Sequence, residues 1–185
     1  MKYFKWVHIL LIELLVNFMA FYYTDVFVYN QTYIGNVLGH PFYLCLWTIS
    51  SVFGLYYYSK IIFDSCKLPY HSFLHALIHI GMTISIVFPY QDGLKNWTNN
   101  LHVWIAGICI IGFIIEWIYI FSKYYFIYQK ECFIFLMILM ISLFIMLVLD
   151  HITSICEIFF TRTALMSKQY NFSSFIRQFF NCFSM

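Results

Sequence analysis

The 185-residue chain is 63% hydrophobic and only 10% charged, with a formal net charge of +2. Soluble domains carry about 25% charged residues, so this chain has too little polar material to cover a water-facing surface. The small charge gives no basis for nucleic-acid binding, and no stretch is long enough to form a separate soluble domain.

Met1–Tyr23 opens with Lys2 and Lys5 and continues into an apolar run. That run is too long for a signal peptide, and Tyr22-Tyr23-Thr24-Asp25 lacks the small residues of a cleavage site. The segment therefore reads as a first transmembrane helix. Pro41 suits the first turn of a second, running to about Tyr58. A third covers about His71–Tyr90 and is closed by Pro89; a fourth covers about Leu101–Phe121 and a fifth about Cys132–Leu149. These runs approach or reach the ~20 residues that a helix needs to cross ~30 Å of hydrocarbon. With the amino terminus inside, Lys2, Lys5, Lys60, Lys67, Lys123 and Lys130 lie on the inner side and Lys95 on the outer, a positive-inside distribution.

Ile152–Met166 is apolar but holds Glu157 and Arg162. It reads either as a short sixth helix returning to the inside, which the charge bias favours, or as a prolongation of the fifth. Beyond it, Phe172, Phe175, Ile176, Phe179, Phe180 and Phe183 recur with helical spacing, while Arg177 falls on the opposite face. That pattern describes a helix lying in the membrane interface or docking on a partner. The expectation is an all-α integral membrane protein. Residues 1–166 form a bundle of five or six transmembrane helices, and residues 167–185 form an amphipathic, interfacial C-terminal helix.

The four amino acids with GC-rich codons are scarce: 7 Gly, 3 Pro, the four alanines Ala20, Ala76, Ala106 and Ala164, and the two arginines Arg162 and Arg177. In their place stand 22 Phe and 16 Tyr. Bilayer physics does not ask for this exchange, since membrane interfaces favour small side chains. It follows codon composition and points to an AT-rich genome, organellar or of a reduced bacterium. Six cysteines without any C-x-x-C pair give no disulfide framework.

Ionisable groups within a span are costly, so each is a functional candidate. At ~1.5 Å per residue, Glu13, His75, His79 and Glu116 all lie roughly 6–12 Å from the inner face. His75 and His79 share one helical face at i and i+4. This layer of Glu13, His75, His79 and Glu116 has three readings: hydrogen bonds that hold helices together, a proton relay, or a divalent metal site. H-x-x-x-H without a glutamate beside the first histidine is not the zincin pattern. At the outer rim, His102, Asp150 and His151 lie at matching depth. No cofactor is expected, while the histidines leave a divalent metal or a haem open. N-x-[S/T] triplets occur at Asn30, Asn96 and Asn171, and no G-x-S-x-G, Walker or Rossmann motif is present.

Two functional expectations follow. The first is a non-catalytic subunit of a larger, respiratory-type membrane complex, in contact with lipids and other transmembrane subunits. The mitochondrial inner membrane is favoured and a bacterial plasma membrane is the alternative. The second is a small stand-alone membrane enzyme or transporter that uses the His/Glu layer.

Overall fold

The computed structural model describes residues 7–65, 67–91 and 96–164. Regular structure among them is entirely helical. A π-helical turn over His8–Ile12 leads without a break into α1, Glu13–Tyr23. A short α2, Gln31–Asn36, closes the far end. The chain then returns through α3, Pro41–Ser65, and rises through α4, Ser72–Ser85. It descends through α5, Trp97–Tyr124, and rises again through α6, Gln129–Leu149. A last helix, α7, occupies residues 154–164. Two segments, Trp97–Tyr124 and Cys132–Leu149, are long and apolar enough to cross a membrane; His8–Tyr23 and Ser72–Ser85 are apolar but shorter.

The helix ends differ from the sequence expectation, and each difference has a local cause. Helix α3 runs on past Tyr58 to Ser65 and carries Lys60 and Asp64 on its final turns. Helix α4 stops at Ser85 rather than near Tyr90. Pro89 disfavours helical geometry at Phe88, and the His102 ring bonds carbonyls at this end, at 2.9 Å to Ser85 and 3.1 Å to Phe88. Helix α2 was not expected at all. It starts on Asn30, whose side chain accepts from the Tyr33 N–H at 2.9 Å, and it is followed by Gly39 in the left-handed region (φ 75°).

Two cores stack along the bundle. One gathers Ile9, Phe63, Ile78, Phe113, Trp117 and Phe135 at the end that also carries Lys60, Lys123 and Lys130. The other gathers Val16, Ala20, Val26, Ile34, Tyr43 and Ile158 toward the opposite end. Asp150 adopts a left-handed conformation (φ 61°), so the chain turns back on itself instead of prolonging α6. The backbone N–H groups of Ser154 and Ile155 then bond the carbonyls of Tyr29 and Val26 at 2.8 and 3.0 Å. Ile158 joins the core around Val16, and Ala164 joins the core around Ile9, so α7 runs back along α1. The expected amphipathic helix over 167–185, together with Lys2, Lys5 and Lys95, lies outside the described residues.

Helices α4 and α5 pack tightly at Gly81, where an added Cβ would run into Cys109 Sγ. Gly81→Ala is therefore expected to lower stability by ~1–3 kcal/mol through overpacking. Cys109→Ala in the same chain should restore most of the loss. Thermal unfolding in detergent micelles measures both.

Candidate functional site

The interior holds two separate polar centres on opposite sides of α3. The first surrounds Glu13, which is 1% exposed. Its Oε1 accepts from Ser50 Oγ at 2.6 Å, and its Oε2 accepts from Asn17 Nδ2 at 3.3 Å and lies 3.5 Å from Ser51 Oγ. Asn17 in turn accepts from Trp47 Nε1 at 3.0 Å. His8 completes the network: its Nε2 is 3.1 Å from Ser50 Oγ and its Nδ1 is 3.0 Å from Tyr58 Oη. Arg162 on α7 lies within electrostatic range of the same carboxylate.

The π turn is what admits His8. It closes an i-to-i+5 bond, here the Glu13 N–H on the His8 carbonyl. Residues five apart, which point to different sides of an α-helix, are thereby brought toward one face. The His8 ring and the Glu13 carboxylate come within 3.8 Å.

The second centre lies where α3, α4 and α5 meet. His75 is 0% exposed, and its Nδ1 makes a 2.6 Å hydrogen bond with Glu116 Oε2. Its Nε2 faces the Tyr56 carbonyl at 3.4 Å. The ring stacks on Tyr56 at 5.2 Å and meets Phe63 and Tyr70 edge-on. One turn further along α4, His79 Nδ1 donates to the His75 carbonyl at 2.7 Å, and the two imidazoles sit 4.4 Å apart between centroids. A carbonyl only accepts, so the His79 hydrogen sits on Nδ1. Both histidines are thus held on one face of α4, their environment supplied by aromatic rings and a single carboxylate.

Of the four residues expected in one layer, the structure brings together His75, His79 and Glu116 and places Glu13 in the other centre. The metal set of His75, His79, Glu13 and Glu116 is therefore not assembled. Among the described residues no three His, Cys, Asp or Glu side chains converge as metal ligands. Position along a helix is one coordinate, and the rotation of each helix, which turns Glu13 toward Ser50 on α3, is another. At the outer rim, His102 serves the end of α4 and stacks on Tyr90 at 5.3 Å. His151 Nε2 instead donates to the Val28 carbonyl at 2.7 Å, and Asp150 forms the turn. No hydrogen bond joins these three among the described residues.

Several polar residues were not singled out by the sequence reading. His8, Ser50, Ser51, Asn17 and Tyr58 belong to the Glu13 centre. Asn17, at i+4 from Glu13, and the Ser50-Ser51 pair midway along α3 were the available signals. A third cluster at the outer end joins Glu157, whose Oε2 accepts from the Gln31 N–H at 2.9 Å, to Tyr43, whose hydroxyl donates to Gln31 Oε1 at 2.7 Å. Glu157 thereby satisfies an otherwise open backbone N–H at the amino terminus of α2. The N-x-T triplets also gain a physical explanation. Asn30 and Asn96 both act as N-caps, accepting from the backbone N–H three residues on at 2.9 and 2.8 Å, and from Thr32 and Thr98 at 2.6 and 2.9 Å.

Comparison with protein-family models, curated proteins and solved structures finds no match to this chain.

Because no hydrogen bond described above joins Glu13 to Glu116 or gives them a common partner, Glu13→Gln and Glu116→Gln should add to within ~0.5 kcal/mol in unfolding free energy. His75→Leu and Glu116→Gln share a hydrogen bond and should depart from additivity by ~1 kcal/mol or more. A double-mutant cycle in micelles reads both pairs. A large coupling between Glu13 and Glu116 would merge the two centres into one.

Proposed function

We propose that this chain is an integral membrane bundle and a non-catalytic subunit of a larger membrane complex of the bioenergetic, respiratory-chain type. One observation carries the membrane part: the polarity of the fold is inverted. Glu13, Asn17, Gln31, Ser50, Ser51, His75 and His79 are buried. Large apolar side chains cover the outside of every long helix, as with Leu15 on α1, Phe42 on α3, Phe73 on α4, Ile108 on α5 and Phe144 on α6. A water-soluble domain of this size does not leave apolar surface so continuous, whereas hydrocarbon solvates it without penalty.

On this reading α5 and α6 cross the bilayer fully. The shorter α1 and α4 cross with their polar partners turned inward, and α7 re-enters from the outer side. Lys60, Lys67, Lys123 and Lys130 mark the inner face. The subunit role is supported by aromatic side chains such as Trp104 and Phe126, which stand exposed where lipids or neighbouring subunits cover them. The AT-rich composition is what supports the mitochondrial inner membrane as the favoured location, with a bacterial plasma membrane as the alternative. The His75–Glu116 pair favours a second reading, a stand-alone enzyme or transporter that moves a proton between these two groups.

Two measurements test these proposals. Cysteines placed at Asp25 and Asp150 should react with an impermeant reagent from one side of sealed vesicles, and those at Lys60 and Lys123 from the other. Labelling of all four from a single side would sink the topology. Purified in mild detergent, the 22.3 kDa chain should migrate with other membrane proteins in a far larger assembly. Migration alone would contradict the subunit role and favour the stand-alone reading.

A further inference from the structure

Between α4 and α5 a groove of about 660 Å³ opens sideways on the outer surface of the bundle. That volume suits a small organic molecule. Leu74, Leu77, Ile108 and Ile115 line it and are exposed, so the opening faces whatever surrounds the bundle. Glu116 also lines it, with a side chain only 8% exposed. One carboxylate oxygen, Oε2, is engaged by His75. The other, Oε1, is buried and has no hydrogen-bond partner among the described residues.

A buried carboxylate oxygen left unmatched is unfavourable, and in hydrocarbon no bulk water relieves it. The His75 bond fixes the orientation of the carboxylate. The tyrosine at the mouth does not compete, because the Tyr70 hydroxyl already donates to Asp64 Oδ1 at 3.0 Å. Burial, together with that carboxylate, pushes the Tyr70 pKa up to about 12, so the hydroxyl keeps its proton. The groove thus offers a largely apolar channel with Glu116 Oε1 as an oriented, unmatched oxygen in its wall.

We propose that this groove binds a membrane-dissolved amphiphile with a hydroxyl head, a lipophilic phenol or alcohol. Its O–H donates to Glu116 Oε1 and its hydrocarbon part lies along α4 and α5. The head is a donor, matched to a carboxylate oxygen held beside the His75 imidazole. The tail must be apolar, because the walls are. A lone water leaves most of such a volume empty and finds too few polar partners along walls of this kind. Glu116 is the binding residue and His75 the positioning residue. The site rests on the membrane reading above.

The test uses the full chain in phosphatidylcholine nanodiscs, with empty nanodiscs as the partition control. The probes are para-octylphenol and its methyl ether, which has nearly the same shape and no donor. Saturable binding of the phenol should be about tenfold tighter than that of the ether, the worth of a hydrogen bond to a charged acceptor. Glu116→Met should erase the preference. If that variant does not fold, Glu116→Gln should reduce the preference several-fold, a neutral acceptor being the weaker one. Leu74→Trp narrows the groove without touching the carboxylate and should weaken both probes alike. Equal binding of the two probes, a preference that survives loss of the carboxylate, or indifference to Leu74→Trp overturns the site. A chain that stays in water when offered bilayers overturns the membrane reading as well, whereas one that enters them and treats both probes alike overturns the site alone.

Discussion

On the membrane reading, polar side chains midway along these helices have nowhere to go but inward, and that constraint organises the bundle. The outward faces are apolar, so a carboxylate such as Glu13 is satisfied within the bundle, by Asn17 on its own helix and by Ser50 and Ser51 on α3. An unpaired charge at the centre of a bilayer costs ~2.5–3.5 kcal/mol or more, comparable with the burial of a whole apolar side chain. Once Ser50 and Ser51 meet Glu13, α1 and α3 have one permitted rotation relative to each other. Once His75 meets Glu116, the same holds for α4 and α5. The stacked cores then fill the space between contacts already specified.

Small residues reinforce this arrangement where they occur. With few Gly and Ala available, most helix contacts are made by large aromatic and branched side chains, which hold backbones apart. Gly81 against Cys109 and Gly112 against Ile78 are exceptions, and both lie on the α4–α5 seam. This close seam carries the histidine–glutamate bond toward one end and the His102 cap at the other. The pair α4–α5 is thus stapled at both ends and tightened in the middle.

The five main helices could be read from apolar runs, because length and hydropathy depend on the chain alone. Their ends could not, because they depend on distant partners: α4 ends where His102 from α5 reaches it, and α2 exists because Asn30 and Glu157 supply its first turn. The same division applies to the polar centres. The match between His75 and Glu116 follows from counting residues inward from each end. The departure of Glu13 from that layer does not, because the spacing between His8 and Glu13 puts them on different faces of any regular α-helix.

The π turn over His8–Ile12 has a further consequence, in the phase of the helix rather than its composition. A π turn is in effect one residue inserted into an α-helix, and it offsets everything before it by about 100° relative to everything after it. Loss of any one residue within the turn would let the segment relax into an ordinary α-helix of nearly unchanged hydropathy. The His8 imidazole would then rotate away from Ser50 and Tyr58 toward the apolar exterior, while Glu13 stayed where it is. In this segment the number of residues, more than their identity, encodes which side chains meet.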